Sequence, residues 1–118
     1  MDSLLKDEQP VIYGDGEQKR DFVFVSDVVN ALLRASTIKG FGIYNVGTGK
    51  NYSLNEAISK LQTITGKKIA PKYIKMPVKN YVMTTLADTT KSKKEIGFDA
   101  KVSLDEGISL LFSSIPSK

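Results

Sequence analysis

The sequence predicts a single small domain of the α/β class (mixed α+β), and three observations carry that reading. Short, bulky apolar runs bounded by glycine or proline read as strands. Two Ser-x-x-Glu sequences open stretches of helical periodicity. The two kinds of element follow one another without the regular strand–helix alternation of a wholly parallel sheet. At 118 residues the chain has material for one core and not for two, so residues 1–118 are read as one domain.

Met1–Glu8 reads as a frayed helix end, closed by Gln9-Pro10. Val11-Ile12-Tyr13 is a short strand ended by the turn Gly14-Asp15-Gly16. Phe22-Val23-Phe24-Val25 is continuously apolar, the pattern of a strand covered on both faces. Ser26 and Asp27 are placed to cap the helix that follows, in which Val28, Val29, Leu32 and Leu33 share one side. Gly40 and Gly42 end it, and Ile43-Tyr44-Asn45-Val46 reads as another short strand.

Ser53-Leu54-Asn55-Glu56 and Ser103-Leu104-Asp105-Glu106 both fit the capping box, in which hydroxyl and carboxylate satisfy each other's orphan amides. Leu54, Ala57, Ile58, Leu61 and Ile64 continue the first helix until Gly66. Leu104, Ile108, Leu111, Phe112 and Ile115 continue the second until Pro116. Gly107 inside that helix costs about 1 kcal/mol against Ala, which predicts a close neighbour. Between them, Ile69–Lys75 and Thr84–Asp88 read as strands and Thr89–Ile96 as a short helix stopped by Gly97.

Composition excludes several chemistries. With no Cys and no His, there is no disulfide scaffold, thiolate or imidazole metal site, cysteine nucleophile or Ser-His-Asp triad. With the 9 Gly counted and the 5 Tyr left out, the apolar fraction is about 44%, just short of that of a domain that covers all of its own core. No apolar run approaches the roughly 18 residues of a membrane span. No signal-peptide pattern opens the sequence, and the expectation is a cytoplasmic protein with no membrane partner. Net charge is +4, from dispersed lysines and only two arginines, Arg20 and Arg34. A nucleic-acid reader concentrates arginine and interleaves aromatics; this chain does not, so nucleic acid is not the expected partner.

Gly14-x-Gly16 and Gly47-x-Gly49 fall short of a dinucleotide fingerprint, because Lys19 and Tyr52 stand where its third glycine belongs. They read as tight turns. A tyrosine base activated by a lysine four residues later is absent: Glu17, Thr48, Glu56, Pro77 and Thr85 follow the five tyrosines at that distance. No catalytic residue is therefore assigned. The informative stretch is Gly14–Val25, where Arg20 stands between a glycine turn and an apolar run. Its fork of donors suits a phosphate or carboxylate, and an ion pair with Asp21 or Asp27 serves equally well. Gln18, two residues away, shares a face with Arg20 if the segment is extended.

Three segments in order and spacing, PVIYGDGEQKRDFVFVSDVVNAL, GIYNVGTGKNYSLNEAI and LADTTKSKKEIGFDAKVSLDEGI, resemble the C-terminal third of the NAD-dependent sugar-nucleotide epimerase/dehydratase family. This is the extended short-chain dehydrogenase/reductase group, and the UDP-glucose 4-epimerase-like members are the most similar. The resemblance spans about residues 10 to 115. It implies a small C-terminal substrate-binding lobe without the family's NAD-binding Rossmann domain or its tyrosine–lysine pair. The backbone of Val11 and Tyr13 is then expected against a nucleotide base, Arg20 on the diphosphate, and Gln18 near the ribose or phosphates. Many members carry Arg-Pro-Gly-Asp about nine residues before the match to Ala87-Asp88; here Val78-Lys79-Asn80-Tyr81 stands instead, and Lys79 or Asn80 is expected to substitute. Ser26 also replaces a common acidic residue before Asp27.

The resemblance thus implies the nucleotide-sugar-binding portion, UDP-sugar above all, of an NAD-dependent epimerase. It would be inactive alone, would bind no NAD by itself, and would work with a Rossmann domain in cis or in trans. The alternatives are a stand-alone nucleotide-binding or interaction module that has lost catalysis, or part of a sugar-nucleotide dehydratase. A surface normally covered by the Rossmann domain is expected to lie bare, with the apolar positions of Met1–Val25 contributing to it.

Overall fold

The computed structural model describes residues 1–116. Its elements are α1 (Asp2–Leu5), β1 (Val11–Tyr13), β2 (Lys19–Arg20), α2 (Val25–Ala35), β3 (Tyr52–Ser53), α3 (Leu54–Thr65), β4 (Lys72–Ile74), α4 (Thr90–Ile96) and α5 (Leu104–Ser113). Two small sheets form. β1 lies parallel to β4, with Ile12 opposite Tyr73, and β2 lies antiparallel to β3, with Arg20 opposite Tyr52. A single bridge joins Lys19 to Thr84, which is all the pairing that the expected Thr84–Asp88 strand makes.

The helices start and stop largely for the local reasons read from the sequence. Ser53 closes a full capping box on α3: its hydroxyl accepts from the Glu56 amide, and the Glu56 carboxylate accepts from the Ser53 amide. Ser103 makes only the hydroxyl half at α5, so the second expected box is incomplete. Gly66 and Gly97 end α3 and α4 in the left-handed region, at φ +70° and +63°. A Cβ on Gly107 would meet a Phe24 ring carbon at 3.0 Å, the close neighbour its position predicted.

Three expectations need correction. Phe22–Phe24 is half-buried extended chain and not a strand, and Val25 already belongs to α2. Ile43–Val46 is likewise unpaired. Both have strand-forming residues, but a strand needs another strand to pair with, and among the described residues these segments have none. Neither Ser26 nor Asp27 caps α2. Phe24 holds the N-cap position without a side-chain bond, and Asp27 accepts instead from the backbone amides of Lys101 and Val102 at 3.0–3.1 Å. A carboxylate in the first turn still complements the helix dipole.

Burial is uneven. The buried apolar residues are Leu4, Ile12, Ala31, Ile96, Phe98 and Ile108, and Phe98 with Ala31 and Ile96 forms the principal cluster between α2 and α4. The apolar side of α2 faces outward: Leu32 and Leu33 are each 65% exposed, and nearby Phe41 is 93% exposed. Met1–Val25 contributes to the bare apolar surface through Val11, Tyr13 and Val25, which are 54%, 48% and 64% exposed, and α2, Phe41–Ile43, segment 73–86 and α5 add to it. The molecule is a slab of 49 × 40 × 17 Å with a radius of gyration of 16.7 Å. A compact domain of this length has about 13.5 Å. A slab so thin cannot enclose many side chains, which explains why the core is small.

Candidate functional site

Two turns and three extended segments build the site around Gln18 and Arg20. β1 runs into Gly14-Asp15-Gly16, where both glycines sit at φ +81°, a region that costs an ordinary residue about 1–2 kcal/mol. The first turn of α3 grips this turn. The Asn55 amide donates to the Asp15 carbonyl at 3.0 Å and to the Glu17 carboxylate at 2.6 Å, and its oxygen accepts from Tyr73 of β4 at 2.8 Å. The chain then enters β2. The Lys19 amide donates to the Met83 carbonyl at 2.7 Å, and the Thr85 amide to the Lys19 carbonyl at 3.1 Å. Segment 81–85 is thereby laid beside β2.

Arg20 makes no ion pair with Asp21 or Asp27, the alternative that the sequence left open. Its Nη1 donates to the carbonyls of Lys19 at 2.7 Å and Met83 at 3.4 Å, and its Nη2 to that of Val82 at 2.8 Å. The guanidinium lies over the Tyr81 ring, 5.1 Å from its centroid. All three acceptors are neutral, so the positive charge meets no carboxylate among the described residues. The Nε–H and one Nη2 hydrogen also lack an acceptor there.

Asp21, read from the sequence only as an alternative ion-pair partner of Arg20, is the organising carboxylate. One oxygen accepts from the Thr48 amide at 2.8 Å and the Thr48 hydroxyl at 2.6 Å; the other accepts from the amides of Gly49 at 3.0 Å and Ala87 at 3.3 Å. A Cβ on Gly47 would stand 2.7 Å from that second oxygen. The Gly47-Thr48-Gly49 turn is thus filled by this chain's own carboxylate. Gly16 is filled in the same way, since a Cβ there would stand 2.0 Å from the Asn55 oxygen. Neither turn has the open amide cradle that a dinucleotide phosphate requires. No sequence signal links Asp21 to Thr48, because the contact spans 27 positions.

The other expected site residues fall as follows. Val11 and Tyr13 are exposed on either side of buried Ile12, and β1 pairs only with β4, so its second edge has no strand partner among the described residues. Gln18 does not share an open face with Arg20. It is 2% exposed, its Nε2 donates to the Tyr13 carbonyl at 2.6 Å, and its Oε1 is buried without a partner. Lys79 and Asn80 lie exposed in a turn, Asn80 at φ +56°, immediately before the Tyr81 that covers Arg20. The structure therefore joins Gln18 to Tyr13, and Arg20 to segment 81–83, and leaves the lysine and asparagine at the rim.

The surroundings are open. A cavity of about 680 Å³ lies between α1 and the end of α5, and one of about 720 Å³ flanks the end of α3; neither is lined by these residues. Among the described residues no His/Cys/Asp/Glu cluster suits a metal ion, and no helix is long and apolar enough to cross a membrane. Beneath β2, the Ser53 amide and hydroxyl hold the Glu56 carboxyl below its ordinary range, with Lys19 and Lys60 adding a smaller pull.

A family described as GDP-mannose 4,6 dehydratase matches residues 2–111. A putative UDP-glucose 4-epimerase of Methanocaldococcus jannaschii is 38% identical over 92% of this chain and 34% of its own length. A UDP-glucuronate 4-epimerase of Thermodesulfobacterium geofontis is 36% identical over 86% of this chain and 32% of its own. Among solved structures, the UDP-glucose 4-epimerase of Thermotoga maritima with UDP-glucose superposes with a TM-score of 0.85 at 41% identity, covering 92% of this chain and 35% of that one. The chain belongs to the NAD-dependent nucleotide-sugar epimerase/dehydratase family. It spans about a third of the length of the relatives it matches.

Proposed function

We propose that this chain forms the nucleotide-binding wall of an NAD-dependent UDP-sugar 4-epimerase, of the kind that acts on UDP-glucose. The observation that carries the reading is Arg20. A guanidinium oriented by neutral carbonyls, with its charge unmatched and two donors unspent, is prepared for an anion with two oxygens, such as a diphosphate.

The remaining residues follow from that anchor. The free edge of β1 offers the backbone of Val11 and Tyr13 to a base, and Tyr13 adds an exposed ring beside it. Gln18 acts from beneath: by holding the Tyr13 carbonyl it sets the distance from β1 to Arg20. Lys79 and Asn80 stand at the rim where a second phosphate oxygen would lie, and Lys79 supplies a point charge rather than a fork. Binding energy gathered on the nucleotide positions a sugar remote from these contacts.

In this reading the hydride chemistry, the cofactor and the acid–base pair belong to a Rossmann domain outside these residues, in cis or in trans. The bare apolar side of α2 and the unpaired Phe22–Phe24 and Ile43–Val46 segments support such a neighbour. Similar proteins were solved with UDP-glucose or UDP-glucuronic acid, which favours uridine over other bases. The test is amide and side-chain chemical-shift mapping of the chain titrated with UDP. Shifts are expected at Val11, Tyr13, Arg20, Lys79 and Asn80; shifts centred on α5, or none, would overturn the assignment.

A further inference from the structure

We infer that Tyr81 is a positioning residue for Arg20, and that the strength of diphosphate binding is set by the electrostatics of its ring; this rests on the nucleotide-binding reading above. Arg20 is held on two sides. The carbonyls of Val82 and Met83 accept from Nη2 and Nη1 at 2.8 and 3.4 Å, and the Tyr81 ring lies 5.1 Å from the guanidinium carbon. These contacts come from consecutive residues, and together with the Lys19 carbonyl, 2.7 Å from Nη1, they fix both the in-plane direction and the face of the fork.

The consequence is directional. The carbonyls occupy part of the donor rim, and the ring occupies one face. The donors without an acceptor among the described residues are the Nε–H and one Nη2–H, on adjacent nitrogens. Adjacent donors in the guanidinium plane match two oxygens of one phosphate. The ring's negative face stabilises the cation without neutralising it, whereas a carboxylate in the same place would compete with the incoming anion. Tyr81 makes no hydrogen bond through its hydroxyl among the described residues, so its contribution comes from the ring. A lone arginine held this way keeps bidentate geometry in a site whose other cation is the flexible Lys79.

The test uses the full chain with UDP as the probe, measured by calorimetry. Tyr81→Leu is expected to weaken UDP binding about three- to tenfold, the range of a partly desolvated cation–π contact, and Tyr81→Phe to restore it. Phenylalanines at position 81 bearing one, two and three ring fluorines keep the shape while draining the ring's negative face, and affinity is expected to fall in that order. The series decides the matter even if Tyr81→Leu fails to fold. Equal affinity across the fluorinated series, with Arg20→Ala still weakening binding about 10- to 100-fold, would overturn the role of Tyr81 and leave the nucleotide reading standing. A wild-type chain that does not bind UDP, or an Arg20→Ala variant that binds it as wild type does, would overturn both.

Discussion

Replacing Asp21 by Asn is the perturbation that most sharply tests how the site is held. The change is nearly isosteric, so packing is preserved and only acceptors are lost. Asp21 serves four donors: the Thr48 amide and hydroxyl on one oxygen, and the Gly49 and Ala87 amides on the other. Asn keeps one oxygen. Turned to keep Thr48, it points an N–H₂ group at two backbone N–H donors. An unsatisfied buried donor costs about 1–3 kcal/mol. Asp21 is only partly buried, so water recovers a share, and the expected loss is about 2–3 kcal/mol. For a domain of this size that lowers Tm by about 8–12 °C. Urea unfolding should show the midpoint falling with the slope unchanged, and hydrogen exchange at Thr48, Gly49 and Ala87 should speed up before exchange elsewhere. A loss below about 0.5 kcal/mol, the size of an ordinary surface substitution, would refute the claim that this carboxylate organises the turn.

Two further outcomes concern the helix starts. Ser53→Ala should cost about 1–2 kcal/mol, because Ser53 is buried and closes a reciprocal box, while Ser103→Ala should cost less, about 0.5–1 kcal/mol, for one exposed bond; equal losses in urea melts would contradict the difference seen between the caps. Glu56 supplies a pH signature. The Ser53 amide and hydroxyl hold its carboxyl below the ordinary 4.5, so the stabilisation is complete above that value and is lost as pH falls through the lower, folded one. The difference between wild type and Glu56→Gln should therefore begin to shrink as pH falls below 4.5 and vanish once pH is below the lowered, folded value. A difference that stays constant from pH 7 to pH 3 would exclude this role.

Local signals carried the helices and turns. Ser53 with Glu56, the stops at Gly66 and Gly97, and the turn at Gly14–Gly16 all act within a few residues, and the structure shows each of them. Strands were less legible, for a physical reason. Phe22–Phe24 and Ile43–Val46 have strand composition, yet pairing is decided by a neighbouring strand, and none pairs with them among the described residues. The α2 periodicity grouped Val28, Val29, Leu32 and Leu33, of which Val28 is half-buried and the other three are exposed, because a periodicity names a face without saying what covers it. In the site, Arg20 stood out because arginine is scarce here. Its partners did not: Tyr81 and the Val82 and Met83 carbonyls lie about 60 positions away, and the Asp21 network spans 27 to 66. The spacing of Gln18 suggested a face shared with Arg20, and the fold turned it inward.

The central claim is that Arg20 anchors a nucleoside diphosphate on this chain. Its most direct test is calorimetric titration of the 118-residue chain with UDP, UMP, uridine and NAD, in wild type and Arg20→Ala. UDP should bind more tightly than UMP, uridine should bind least, and NAD should give no heat. Arg20→Ala should lower UDP affinity about 10- to 100-fold, the worth of a charge-assisted bidentate contact, and should leave the weak uridine binding unchanged. Equal UDP binding by wild type and Arg20→Ala, or no preference for UDP over uridine, would contradict the account.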